Sequence, residues 1–214
     1  MNGVTETGQE EAAAPTARQR KAADIRARIL ASATRRIADD GLDGLRARDV
    51  AGDAGIALGS IYKHFVDFDD LVLHVNSATL LAMSEALEEG ARDASDPAER
   101  LERLAGAYLA FAEGHPRLWA ALFEHRMARG APVPDWHLAD HEPLFRLIAG
   151  PVALLAPELD EAARAVRTRT VFAAVHGVVA LALQDRFIGV PRGALEDEVT
   201  TVARGLVAGL KEAG

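Results

Sequence analysis

The sequence predicts an all-α protein. Ala, Leu, Glu and Arg dominate it, apolar residues recur at spacings of three and four nearly everywhere, and the alternating pattern of a half-buried strand is almost absent. At 214 residues the chain can bury a sizeable core and hold one or two domains. Its 49% apolar and 26% charged residues are those of an ordinary globular protein.

Residues 1–17 are polar, Ala-rich and contain Pro15, which predicts a disordered tail; they lack the apolar stretch of a signal peptide. The first helix is expected from about Thr16 to Asp40, stopped by Gly41. Ile25, Ile29, Ala33 and Ile37 fall on one face at i, i+4 spacing. The formal net charge is −8, yet Arg18 to Arg36 holds seven basic residues and one acidic residue, Asp24. Any nucleic-acid contact should therefore be local to the N-terminal third. The basic run (Arg18, Arg20, Lys21, Arg26, Arg28, Arg35, Arg36) reads either as a solvated helix face or as an arm tracking phosphates. Arg18, Arg20 and Lys21 are the best placed for the second role.

Asp49–Phe65, DVAGDAGIALGSIYKHF, has the spacing of a helix, a Gly-centred turn and a second short helix. Val50, Ala54, Ile56 and Ile61 supply apolar contacts, and Ala51 is small where the helices cross. Gly55 sits where a left-handed backbone is easy only without a Cβ. The second helix then exposes Leu58, Gly59, Ser60, Tyr62, Lys63 and His64, a surface of groove-entering size.

With its flanks, this stretch resembles the N-terminal domain of TetR-type (TetR/AcrR-like) transcriptional regulators. The match runs from roughly Arg26 to Val75 through Ile29-Leu30, Ala33, Ile37, Gly41, Arg48-Asp49-Val50-Ala51, Ala54-Gly55-Ile56 and Gly59-Ser60-Ile61-Tyr62-Lys63-His64-Phe65. The resemblance implies phosphate contacts for Tyr62, Lys63 and His64, with Leu58, Gly59, Ser60 and Tyr62 nearest the bases. Arg46 and Arg48 join the DNA-facing set. Three residues depart from the family's habit. Ala57 stands where Ser or Thr commonly caps the recognition helix, at a cost of about 1 kcal/mol. Arg46 replaces a frequent Thr. Phe68 replaces a Lys that often touches phosphate, and Asp67, Asp69 and Asp70 beside it cap a helix well but repel a DNA backbone.

The expected domains are the helix-turn-helix unit at 18–68 and an effector and dimerisation domain at 69–214. A long helix from about Asp69 to Arg92 joins them through Leu71, Val75, Leu80, Met83 and Leu87. Pro97 opens the next helix at a first-turn position, running to Gly114. His115-Pro116 opens another carrying Leu118, Trp119, Leu122, Phe123 and Met127, followed by a loop at Gly130–Pro134 and a helical segment broken by Pro143 and Pro151. Glu161–Phe187 is apolar nearly all round in its second half. Leu195, Val199, Val202, Leu206 and Leu210 form a stripe on the last helix. Ala173, Ala174, Gly177, Ala180, Gly205 and Gly209 permit close helix approach. Two copies of these helices would cover each other as a four-helix bundle, so a homodimer is expected.

The sequence carries no P-loop, no GxGxxG after a strand and no GxSxG elbow, and nothing calls for an enzyme or a cofactor. It has no cysteine, which excludes disulfides and thiolate metal sites. Val171–Leu183, the longest apolar run, is shorter than the roughly 20 residues of a membrane span, so a cytoplasmic protein is expected. His137 and His141, at i, i+4 beside Asp135, Asp140 and Glu142, have a metal-compatible spacing. Without a third ligand at a defined spacing they read as a polar junction, and no metal is assigned.

Trp119, Phe123, Trp136, Phe145, Phe172 and His176 are candidates for a cavity wall, with His125, Arg126 or His176 as its few polar groups. Core packing alone explains each of them, and the pocket wall is the sharper reading. Val175-His176-Gly177 also resembles a subgroup of TetR-type C-terminal domains with a His-Gly pair in the eighth helix. The favoured function is a ligand-responsive repressor of a pseudo-palindromic operator, its effector a partly apolar, uncharged or weakly charged molecule. Two recognition helices would have to sit about 34–36 Å apart. The alternative is an effector-binding or protein-interaction module of the same fold with weak DNA affinity, given Ala57 and Phe68.

Overall fold

A computed structural model describes residues 16–184 and 188–212. The expected tail at 1–17 lies outside them except for its last two residues, as does the 185–187 end of the helix expected to reach Phe187. Nine α-helices and no strand occur among the described residues.

Helix α1 (Ala17–Asp40) begins in a capping box: the Thr16 hydroxyl accepts from the Gln19 N–H, and the Gln19 side chain accepts from the Thr16 N–H. Helix α2 (Ala47–Asp53) follows, then a turn, a 3₁₀ helix at Leu58–Lys63, and the long α3 (Phe68–Gly90). Ile29, Ile37, Val50 and Ile61 are fully buried together, and Leu71, Val72 and Val75 from the first half of α3 complete this N-terminal core. Phe68 packs against the same core, which gives it a structural place in the position where the resemblance expects a phosphate-touching Lys.

The second half of α3 turns to a different core. Leu80, Met83 and Leu87 pack with α4 (Pro97–Gly114), α7 (Glu142–Leu155), α8 (Glu161–Leu183) and α9 (Leu195–Glu212). Between these lie α5 (Pro116–Glu124) and the short α6 (Asp135–Ala139). At the crossing of α3 and α4 a Cβ on Gly90 would stand 2.7 Å from the Ala107 Cβ, so the glycine sets how closely the two helices approach.

Several expectations shift. Helix α5 ends at Glu124, three residues before Met127, where His125 takes an extended backbone. Pro143 does not break a helix but sits in the first turn of α7, where its missing N–H costs nothing. On α9 the buried stripe is Leu195, Val199, Ala203, Val207 and Leu210; Val202 and Leu206 sit at its half-buried edge. Helix α8 is long and apolar enough to cross a membrane by length and composition, although its apolar run taken alone is not. In this fold it packs on α4, α7 and α9, and its first half carries Arg164, Arg167 and Arg169.

Candidate functional site

The helix-turn-helix is built from backbone geometry rather than side-chain caps. Helix α2 closes with the Ile56 N–H donating to the Ala51 carbonyl (3.0 Å) and the Gly55 N–H to the Gly52 carbonyl (3.1 Å). This is a Schellman-like ending, and Gly55 takes the required positive φ of 66°. Ala57 then starts the recognition helix with no side-chain cap hydrogen bond. Full burial of Ile61, worth about 1.5–3 kcal/mol, outweighs a missing cap of about 1 kcal/mol. The recognition helix is six residues of 3₁₀ geometry.

On its outer side Leu58, Gly59, Tyr62 and Lys63 are exposed, Tyr62 at 51%, and Ser60 and His64 are half-buried. Arg18, Arg20, Lys21 and Arg48 are exposed as well. Arg46 is exposed, but its Nη1 donates to the carbonyls of Asp43 (2.6 Å) and Leu45 (3.0 Å), which ties it to the loop before α2.

Not all of the basic run is free to meet an anion. The Asp53 carboxylate at the end of α2 accepts from Arg36 (2.8 and 2.9 Å), Ser32 (2.8 Å) and Arg35 (3.0 Å). These bonds, Arg36 foremost, hold Asp53 well below the usual carboxylate range and clamp α2 onto α1. Arg26 lies over the Phe65 ring at 4.8 Å and donates to His74 Nε2 at 2.8 Å. The acidic trio beyond it is also engaged. Asp67 caps α3 through the Asp70 N–H, Asp70 accepts from the Val66 N–H, and Asp69 accepts from the Ala128 N–H.

In the C-terminal core, Trp119, Phe123, Phe145, Phe172 and His176 form one connected cluster, with ring centroids 4.2 Å apart for Phe123 and His176 and 5.5 Å for Phe145 and Phe172. Tyr108, which sequence reasoning missed, sits at its centre. It lies on the buried Leu101–Leu104–Tyr108 face of α4, and a buried phenol needs a partner and here has two. The Trp119 Nε1–H can only donate, so the Tyr108 oxygen accepts from it (2.8 Å). The same hydroxyl meets His176 Nδ1 at 2.7 Å, the direction of that bond following the imidazole tautomer. Burial lowers the His176 pKa and raises that of Tyr108, so both are neutral near pH 7. Beside them lies a small apolar cavity of about 30 Å³, bordered by Leu87, Leu104, Tyr108, Ile148, Phe172 and Val175.

Trp136 and Arg126 are not in this cluster. Trp136, 38% exposed, stacks on His74 at 4.5 Å from α6, and Arg126 borders a separate groove with His125, His137 and His141. The reason is the short α5: the chain leaves it at His125 and carries both residues toward the N-terminal domain. His137 is buried, its Nδ1 bonded to the Ser77 hydroxyl at 2.9 Å, and burial together with nearby His141 lowers its pKa to about 4. Among the described residues no group of three His, Asp or Glu is placed to hold a metal ion.

Helix α5 joins the two regions. Ala121 is buried in the N-terminal core with Leu118 packed against it, its carbonyl accepts from Asn76 of α3 at 3.2 Å, and Trp119 and Phe123 face the aromatic cluster.

Comparison with known proteins agrees with this architecture. Residues 29–75 match the sequence model of bacterial regulatory proteins of the tetR family, and residues 101–208 match that of the tetracyclin repressor-like C-terminal domain. No curated protein matches the chain. Among solved structures, a protein of unknown function from Rhodococcus sp. RHA1 is 26% identical, with a TM-score of 0.70 over 95% of this chain and 100% of its own. FadR from Bacillus subtilis, solved with stearoyl-CoA, is 18% identical, with a TM-score of 0.62 over 86% of this chain and 98% of its own. A TetR family regulator from Marinobacter aquaeolei VT8 is 18% identical, with a TM-score of 0.60 over 88% and 97%. With both halves matched in order, the chain belongs to the TetR family and is a ligand-responsive, DNA-binding transcriptional regulator.

Proposed function

We propose that the protein is a cytoplasmic, homodimeric repressor that leaves a pseudo-palindromic operator when a partly apolar small molecule enters the Trp119 cluster. Leu58, Gly59, Ser60 and Tyr62 read bases in the major groove. Tyr62, Lys63 and His64 hold phosphates, with Arg18, Arg20, Lys21, Arg46 and Arg48 adding backbone contacts. Its role is regulatory rather than catalytic.

The observation that supports this most is the two-faced α5, with Leu118 and Ala121 in one core and Trp119 in the other, where the 41% exposed Phe123 covers the Trp119 and His176 rings from outside. A cavity of about 30 Å³ holds little more than water, so an effector has to part the aromatic cluster. Displacing Trp119 displaces α5, and α5 cannot move without disturbing α1 and the first half of α3, which carry the recognition helix. A ligand releases DNA only by as much as it prefers the displaced state. FadR, of the same fold, holds stearoyl-CoA, in keeping with an apolar body as effector.

A salt-dependent gel shift on DNA from the chain's own upstream region tests the reading. Binding whose logarithm falls linearly with the logarithm of salt concentration, reversed by a compound that also perturbs tryptophan emission, is the expected result. Absence of any sequence-preferring shift at low salt would favour an interaction module instead.

A further inference from the structure

Resting on that effector reading, we infer that the effector is an amphiphile, its anionic head held in a groove between α7 and α8 and its apolar tail lying along the aromatic cluster. The groove has a volume of about 710 Å³ and opens beside the first turns of both helices, with Phe145 in its wall and Arg146, Arg164, Arg169, Glu142 and Glu161 around it.

The cations are not equivalent. Arg146 is neutralised by Glu142 at 3.3 Å. Arg164 Nη2 donates to the Leu159 carbonyl (2.9 Å) and Arg169 Nη1 to the Ala165 carbonyl (3.3 Å). Among the described residues neither guanidinium has a carboxylate within ion-pairing distance, and the Arg164 Nε–H is buried with no acceptor. A buried donor left unpaired is costly, and charge-assisted bonds to a guanidinium are among the stronger ones available. Glu161 keeps the groove from being a general anion trap, since the formal balance of three Arg and two Glu leaves one positive charge. A head group with one negative charge fits that balance.

The same groove leads inward through aromatic rings. Phe145 borders it and meets Phe172 edge-on at 5.5 Å. Phe172 borders the small apolar cavity and stacks on His176 at 5.5 Å. Phe145 and Phe172 thus link the cationic mouth to the apolar interior, and their rotation would open a path for an apolar tail. A neutral apolar molecule would leave the Arg164 donor unpaired, whereas a short hydrophilic anion would never reach Trp119. Only a molecule with both parts uses the whole path.

Decanoate, decyl phosphate, decanol, decylammonium and butyrate separate the contributions when each is titrated into the full-length protein, with tryptophan emission and release of bound DNA as readouts. Decanoate or decyl phosphate should bind at least about tenfold more tightly than decanol, as expected for one charge-assisted bond, and the ratio of the two anions names the head group. Decylammonium and butyrate should leave both signals unchanged. In Arg169→Gln, and independently in Arg164→Gln, the preference of decanoate over decanol should collapse toward one; decanol binding reports that each variant is folded. Equal affinities for decanoate and decanol in the wild type, or a preference that survives both substitutions, overturns the inference. DNA release by decanol with no response to either anion also overturns it, yet leaves the effector reading standing.

Discussion

At the recognition face Lys63 is exposed, and among the described residues its side chain makes no hydrogen bond or ion pair, which suits a phosphate contact. Lys63→Ala is expected to weaken binding to all DNA sequences and to reduce the salt slope by roughly one per subunit, read from affinities across a salt series. Ser60→Ala should instead change preference at one base pair. Inside the C-terminal core the Tyr108 hydroxyl serves both Trp119 and His176. Tyr108→Phe strands the buried Trp119 Nε1–H and leaves the half-buried His176 Nδ1 without its partner, so urea unfolding should show a loss of about 1–3 kcal/mol. His137 sets a pH dependence. Its folded pKa of about 4 lies below the ordinary 6.5, so between these values the unfolded chain binds a proton that the folded one does not. Stability should therefore fall as pH drops from about 6.5 toward 4 and level off below it. His137→Gln should shrink that arm, leaving the part set by His74, His125 and His176, whose pKa values burial also lowers, when urea midpoints are compared at pH 7.5 and pH 5.5. Individual residues were only partly legible in the sequence. Trp119, Phe123, Phe145, Phe172 and His176 do converge, because periodicity sets which helix face each occupies. Trp136 escaped the pattern, since its position depends on where α5 ends and how the following chain returns toward α3.

At the scale of elements, start and stop chemistry was legible where a local residue dictates it: Thr16 capping α1, Pro97 and Pro116 in first turns, Gly41 and Gly55 at positive φ. What periodicity could not supply was division of labour. The first half of α3 serves one core and the second half another, and α5 serves both at once, although each reads as a single amphipathic stretch. Nor could it show that Arg26, Arg35 and Arg36 are occupied within the fold, because their partners His74 and Asp53 lie far along the chain. The α3–α4 crossing gives an opposition of two effects that a measurement can settle. Helix propensity favours Ala over Gly by about 1 kcal/mol in a helix interior, and less at Gly90, the last residue of α3. A Cβ there lies 2.7 Å from that of Ala107, and neither atom can rotate away. Gly90→Ala should therefore destabilise by about 1–2 kcal/mol in thermal or urea unfolding, as overpacking does. A rise in stability would mean that the two helices separate at no cost.

The whole molecule leaves one surface that a single chain does not explain. One outward stripe of α8 is Ala162, Val166, Thr170, Ala173, the half-buried Gly177 and Leu181, at helical spacing, with Val166 65% exposed. Gly177 on α8, and Gly205 and Gly209 on α9, have nothing within 4 Å of where a Cβ would stand. Glycine inside a helix costs roughly 0.5–1 kcal/mol relative to alanine, and among the described residues no neighbour requires it at those three places. A second copy packed closely on α8 and α9 would supply the reason, and would cover the exposed apolar residues as well. Such symmetry would serve function, since a two-fold dimer presents two recognition helices to half-sites one helical turn apart. Wild-type protein should be a dimer at micromolar concentration by light scattering. Ala173→Arg places a charge in the middle of the stripe, and should yield a monomer whose circular dichroism stays helical, because Ala173 faces away from the core. The monomer should lose most of its operator affinity, since two linked half-site contacts become one. It should still bind effector, because the Trp119 cluster lies wholly within one chain. A monomeric wild type would remove the dimer, whereas a dimeric Ala173→Arg would move the interface to another face of the bundle.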